Sequence, residues 1–276
     1  MGSKSKIARE IISFLPKGER LVDLFGGGFA ISHCACLCKK WNAVYYNDFN
    51  PLIVNLIKDA IEGKFNYKVF KPEFITREDF NRLKDTDGYV KYIWSFGNNG
   101  QAYLFGKEVE HIKYLGHQLV VFGKLEPELY KIAPDILKYV NGKSINQRRL
   151  QFHNYFKVYT RLQQLEYLER LQQLEHLQRL ERLQQLEIHC HSYEDYVYKE
   201  GDVVYCDIPY EDTAEYSGGF DHKKFYEWCY NQPYQIFFSS YKISDPRFKL
   251  VWASQKKSLL TAKSRVNKYE CIYTNK

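Results

Sequence analysis

Residues 21–25 read as a short apolar strand, residues 26–28 are three consecutive glycines, and a helix follows; a second strand over 43–47, an acidic turn at Asp48 and another helix come directly after. Strand, turn, helix, strand and helix in so short a span form the opening of a parallel α/β sheet. An amphipathic helix over 5–15 precedes this unit and stops at Pro16, which cannot continue it. The same rhythm returns late in the chain. EIHCHSY reads as a strand, DVVYCDIPY as a strand ending in a special turn, FDHKKFYEWCYN as a helix and YQIFFSSY as another strand, and the tail adds two further β segments. The α/β unit is therefore expected to be discontinuous, made of residues 1–61 and 190–276, with residues 62–189 inserted as a mainly helical domain.

The insertion carries a polar-aromatic patch, WSFGNNGQAYLFGK, over 94–107. Between Lys131 and Arg161 the basic residues 131, 138, 143, 148, 149, 157 and 161 face a single acid, Asp135, so the stretch is locally cationic. Leucine then stands at every third position from 162 to 186, nine times, within a low-complexity repeat over 162–187. At 100° per residue each successive leucine steps back by about 60° around an α-helix, whereas a 3₁₀-helix would align all of them in one stripe. Both helices stay open at this point, with α favoured on base rates. Either way the leucines need cover, from their own domain or from a second copy through self-association.

Two turns carry the chemistry. Asp23-Leu-Phe25-Gly26-Gly-Gly28 sits between a strand and a helix, where glycine lets the backbone come close to a ligand. Asp48, at the end of the next strand, stands where an acid can bond a ribose hydroxyl pair. Ile31 replaces the third glycine of the nicotinamide fingerprint, which argues against a pyrophosphate and for an adenosine cofactor without phosphate, such as S-adenosylmethionine. The second turn is Asp207-Ile208-Pro209-Tyr210, at the end of the strand VVYC. Pro209 keeps Ile208 out of the helical region and displays its carbonyl. An acid, an exposed carbonyl and an aromatic ring can together hold the exocyclic amine of a planar base.

The pair DLFGGG and DIPY, in this order around a long insertion, resembles the Dam-type, α-class DNA adenine N6-methyltransferases, whose hallmark is Asp-Pro-Pro-Tyr. The resemblance covers nearly the whole chain. It implies a Rossmann-like, S-adenosylmethionine-dependent methyltransferase fold with an inserted target-recognition domain. It also implies methyl transfer to a flipped adenine in double-stranded DNA, with Asp207, Ile208, Pro209 and Tyr210 as the catalytic turn. Lys4, in an element similar to the family's Gly-x-Lys, would meet the cofactor together with Asp23, Phe25, Gly26, Gly28, Asp48, Ser192, Tyr193 and Asp207. SFGNNG and YLFGK look like the recognition-domain entry of phage-type members, and the tail around Arg265, Lys268 and Glu270 resembles their closing strand. One departure stands out: the first proline of the hallmark is Ile208, whose backbone carbonyl is retained.

DNA contact is expected from the insertion. Lys143, Arg148, Arg149 and Lys157 are the phosphate candidates, and Asn98, Asn99 and Gln101 suit the edges of adenine. The net charge of +7 and 17% aromatic content agree with a nucleic-acid binder, since rings stack on bases while Lys and Arg meet phosphates. The apolar runs are short and interrupted, so no membrane span is expected, and the start lacks the apolar core of a signal peptide; the expected compartment is the cytoplasm. The seven cysteines show no disulfide or zinc-knuckle spacing, and no metal is expected. Two competing readings stay open. One is a methyltransferase acting on another amine, such as RNA adenine or cytosine N4, although Asp rather than Ser at 207 argues against cytosine. The other is a catalytically degenerate DNA-binding or oligomerisation protein built on the leucine run.

Overall fold

The structure, a computed structural model, describes residues 4–156, 165–177, 185–210, 219–241, 243, 245–256 and 268–276. The chain divides into two compact units, one of Gly2–Val54 with Leu183–Lys276 and one of Asn55–Arg182.

The first unit is built on seven strands: β1 (Arg20–Asp23), β2 (Ala43–Asn47), β3 (Leu186–His189), β4 (Asp202–Cys206), β5 (Ile236–Ser240), β6 (Lys249–Lys256) and β7 (Lys268–Thr274). They form one sheet in the order β3-β2-β1-β4-β5-β7-β6. The first five strands in that row are parallel to their neighbours, and β7 lies antiparallel between β5 and β6. This is the Rossmann-like doubly wound arrangement expected from the sequence, closed at one edge by an antiparallel pair. From β1 the chain runs to β2 and β3 on one side, and from β4 to β5 on the other. The carboxyl ends of β1 and β4 therefore flank the switch point where α/β sheets bind ligands.

Both faces of the sheet are covered, and alternation along β1, β2, β4, β5 and β7 shows it. Leu21, Val44, Val203, Tyr205, Phe237 and Ile272 join one core, while Val22, Tyr45, Val204, Cys206, Ile236, Phe238 and Tyr273 join the other. Helices α1 (Ala8–Phe14) and α2 (Ala30–Cys38) close the first face through Ala8, Ile11, Ile12, Ile31 and Ala35. The second is closed by Phe225, Tyr226 and Cys229 of a helix over His222–Asn231. Each fully buried Leu, Val or Phe contributes about 1.5–3 kcal/mol. At the amino end of the sheet Arg20 faces its register partner Asp202, bonding both carboxylate oxygens at 2.9 Å, and reaches Glu187 of β3 at 3.1 Å.

Between β2 and the second unit runs α3 (Pro51–Ile61). The second unit holds α4 (Arg77–Leu83), α5 (Gly88–Ile93), α6 (Lys107–His117), α7 (Pro127–Ile132), α8 (Ile136–Tyr139), α9 (Ile145–Tyr155) and α10 (Glu166–Leu177). The helix over His222–Asn231 is α11.

Over Glu166–Leu177 the leucine repeat forms the α-helix α10, and its burial explains the period of three. Leu165, Leu168, Leu171, Leu174 and Leu177 are all buried, while Glu169, Gln173 and His176 are the exposed residues of this stretch. At 100° per residue the five leucines sweep about 240° of the circumference and the three exposed residues occupy the gap. The helix is thus a post surrounded on most sides, and in this stretch no leucine ridge is left for a second copy. Tyr167 stacks on Trp94 at 4.0 Å, and Arg170 donates to the carbonyls of Ile93 and Ser95, the last turn of α5 and the residues beyond it. The final leucine of the repeat, Leu186, belongs to β3, paired with Val44. The other leucines, 162, 180 and 183, lie outside the described residues. No helix among the described residues is long and apolar enough to cross a membrane.

Candidate active site

The glycine turn after β1 has a different reason for each glycine. A Cβ on Gly26 would stand 2.2 Å from the ring of Tyr46, so no side chain fits there. Gly27 has φ of 45°; its N–H donates to Asp48 Oδ2 at 2.8 Å, and its carbonyl accepts from the Tyr46 hydroxyl at 2.9 Å. Gly28 has nothing within 4 Å of the position of a Cβ, so it borders open space. Asp48 also accepts from the N–H of Asn50 at 2.8 Å. Its two oxygens stitch the turn and keep further lone pairs for a hydroxyl. Burial pushes its carboxyl up, against the pull of those two N–H groups.

Asp23, at the end of β1, is buried. Its Oδ2 accepts from the Ser32 hydroxyl of α2 at 2.7 Å, while its Oδ1 has no hydrogen-bond partner. Burial, with the nearby charges of Asp207 and Asp48, pushes its carboxyl up to about 7. An unsatisfied buried acceptor is rare and marks a place where a ligand's donor or cation is welcome. Asn47 is also buried; its amide donates to the carbonyls of Leu24 and His191 and its oxygen accepts from the N–H of His191. It ties the ends of β1, β2 and β3 into one rim.

The second turn meets a cluster that joins the two ends of the chain. Lys4 Nζ lies 2.9 Å from Asp207 Oδ1 and 2.6 Å from Glu270 Oε1 of β7, and both Lys4 and Glu270 are buried. The Tyr210 hydroxyl donates to Glu270 and accepts from Lys4. Burial alone would lower the lysine, but Asp207 and Glu270 outweigh it and hold the ammonium above its ordinary range. Burial pushes the Tyr210 phenol up as well, so it stays protonated. Lys4 was expected at the cofactor; its ammonium braces Asp207, Tyr210 and Glu270 of β7. Ile208 is buried in the core shared with α11, and Tyr241 meets Tyr210 edge-on at 4.5 Å.

Phe25 and Tyr193 stack at 5.3 Å and 29°, with Phe220, Phe225 and Trp228 packed around the pair. Ser192 caps the short turn that presents Tyr193. Three residues of this neighbourhood had no assignment from the sequence: Tyr241, Trp228 and His222, whose Nε2 donates to the carbonyl of Pro209 at 2.7 Å. A legible signal existed for the last, because Asp221 is a helix N-cap and places His222 at the first helical position beside the turn.

In the second unit, Asn98, Asn99 and Gln101 lie on a tight loop closed by a bridge between Ser95 and Tyr103, with Asn98 at φ 57°. Asn99 and Gln101 are exposed, and Asn99 Oδ1 accepts from the N–H of Gln101. Lys143 is exposed just ahead of the Ser144 capping box of α9. Arg148 was expected to meet a phosphate. Its guanidinium donates to the carbonyls of Val120, Val121, Gly142 and Lys143, four backbone acceptors that include the end of a helical turn over Gln118–Phe122. With four of five donors used, it closes the fold and has little left for a phosphate. Arg149 donates to Gln172. Lys157 and Arg265 lie outside the described residues, as does the side chain of Lys268.

A search of curated proteins finds no match. Among solved structures, the rRNA methyltransferase AviRa from Streptomyces viridochromogenes is similar at 13% identity and a TM-score of 0.40, over 98% of this chain and 84% of that one, a likeness too distant to argue from. The family model described as D12 class N6 adenine-specific DNA methyltransferase matches residues 1–228, most of the chain and both of these turns. With its two turns meeting at the switch point of a Rossmann-like sheet, this chain belongs to the D12 class N6 adenine-specific DNA methyltransferases.

Proposed function

We propose that the protein methylates the N6 amine of an adenine flipped out of double-stranded DNA at a specific sequence, with S-adenosylmethionine as donor. The observation that carries this reading is the Lys4–Asp207 pair at 2.9 Å beside the Ile208 turn, at the carboxyl end of β4. The N6 lone pair is conjugated into the purine ring and is a poor nucleophile. Accepting its two N–H groups on Asp207 and on the Ile208 carbonyl favours a pyramidal, more nucleophilic nitrogen. Lys4 orients the Asp207 carboxylate, and Tyr210 offers its ring to the base. Positioning and charge placement then do most of the catalysis.

The residues present fit the donor. Asp23 keeps a buried acceptor without a partner, Gly28 borders open space, and Asp48 has lone pairs for a hydroxyl. Phe25, Gly26, Ser192 and Tyr193 complete the wall that would hold its adenosine. Bound there, S-adenosylmethionine supplies an electrophilic methyl group. Lys143, Asn99 and Gln101 are the exposed candidates for DNA contact, with Asn98 and Arg149 beside them.

The test is incubation with labelled S-adenosylmethionine and duplex DNA, followed by sequencing for N6-methyladenine. Methylation at a fixed motif that disappears in Asp207→Ala, with cofactor affinity retained within a small factor, is the expected result. Methylation by Asp207→Ala at the wild-type rate would reject the assignment, and methylation of RNA or of cytosine alone would reject the substrate.

A further inference from the structure

Each residue of the turn 207–210 has its own restraint. Asp207 is held by Lys4, Ile208 by burial beside Phe225 and Tyr226, and Tyr210 by Lys4 and Glu270. Pro209 is held by His222, whose Nε2 donates to its carbonyl at 2.7 Å. The proline ring already fixes φ near about −65°. The other torsion, ψ, decides where the Pro209 carbonyl points, and a bond to that oxygen fixes it. With both torsions of Pro209 set, the Ile208 carbonyl on one side and Tyr210 on the other are locked in relative orientation.

His222 can serve because it is itself fixed. It opens α11 behind the Asp221 N-cap, which accepts from Lys224 N–H at 2.9 Å, and its ring meets Phe220 edge-on at 4.9 Å. The same helix buries Phe225 and Tyr226 in the core that holds Ile208. A turn with isoleucine at 208 has one proline ring fewer to stiffen it than the family hallmark.

We infer that His222 is a positioning residue for methyl transfer, holding the Pro209 carbonyl so that the turn keeps the rigidity that a proline at 208 would otherwise supply. This rests on the reading of residues 207–210 as the turn that receives the adenine amine.

The experiment compares wild type, His222→Ala and His222→Gln, each also in an Ile208→Pro background. It measures kcat and KM for S-adenosylmethionine on duplex DNA, thermal stability, and amide hydrogen exchange of a peptide spanning the turn. The expected result is a kcat about tenfold to a hundredfold lower in His222→Ala, the scale of a small misplacement of reacting groups. KM should stay within about threefold, Gln should restore most of the rate, and the Ala effect should shrink in the Ile208→Pro background. Hydrogen exchange over the turn should rise in His222→Ala and fall back in His222→Gln. Equal rates and equal exchange in wild type and His222→Ala would overturn the proposal, as would a Gln variant no better than Ala. If wild type transfers no methyl group to DNA, the functional reading fails on its own, and the exchange comparison still decides whether His222 holds the turn.

Discussion

Lys4 and Glu270 are separated by 266 positions in the chain and by 2.6 Å in space. The contact pins the residue ahead of α1 to the closing strand β7, and both partners bear on the Asp207 turn. Removing the cation leaves the buried Glu270 and the partly buried Asp207 without their shared partner. Lys4→Met should cost about 3–5 kcal/mol in urea unfolding, the scale of breaking a buried pair from one side. Lys4→Met combined with Glu270→Gln should recover a large part of that loss. A double variant no more stable than Lys4→Met alone would show that the pairing does not bear on stability.

Asp23 gives a pH dependence with a definite sign. Its carboxyl ionises near 3.8 in the unfolded chain and only near about 7 in the folded one, so the folded state holds its proton longer. The contribution of Asp23 to stability therefore falls as pH rises through that window, and the profile of Asp23→Asn between pH 4 and 7 should lack that decline. A cationic ligand favours the ionised form. Binding of S-adenosylmethionine should tighten between pH 5 and about 7 and release protons at pH 6, seen by calorimetry in buffers of different ionisation enthalpy. Proton release by Asp23→Asn equal to that of wild type would refute the assignment.

The glycines separate structure from ligand contact. Gly26→Ala drives a methyl group into the Tyr46 ring and should destabilise the fold by about 1–3 kcal/mol. Gly28→Ala meets no atom within 4 Å and should leave the melting temperature unchanged. If the cofactor lies against Gly28, the same substitution weakens its affinity by about tenfold or more, measured by calorimetry.

Arg148 and Lys143 should likewise part company. Arg148→Ala removes four donors from backbone carbonyls and should lower stability by about 2 kcal/mol. Lys143→Ala should leave stability unchanged and reduce the salt dependence of DNA binding by about one ion. The opposite pattern in the two variants would reverse the assignment of their roles.

Short continuous apolar runs made the strands legible, because a sheet covered on both faces buries the residues that point either way. The positions of the two candidate turns were legible for a related reason, since a strand end leaves no choice about where Asp23 and Asp207 emerge. Side-chain partners were not. Arg148 looks like any surface arginine until the carbonyls of Val120 and Val121 are brought to it, and nothing near Lys4 in the sequence announces Glu270, which β7 delivers to it. The leucine repeat was ambiguous because periodicity records which residues are apolar and not how many sides of a helix are covered. Leu186 shows the same limit, since pairing with β2 turns the end of a helical pattern into a strand.

The surrounded helix α10 carries a problem of register. Moving it along its axis by three residues, with the accompanying rotation of about 60°, puts every interior leucine where its neighbour stood. Leucines alone cannot tell these settings apart. Tyr167, wedged against Trp94, and Arg170, bound to two carbonyls, interrupt the repeat and select one of them. A sequence that reads as monotonous is thus indexed by two residues, and the helix has one seat rather than several equivalent ones.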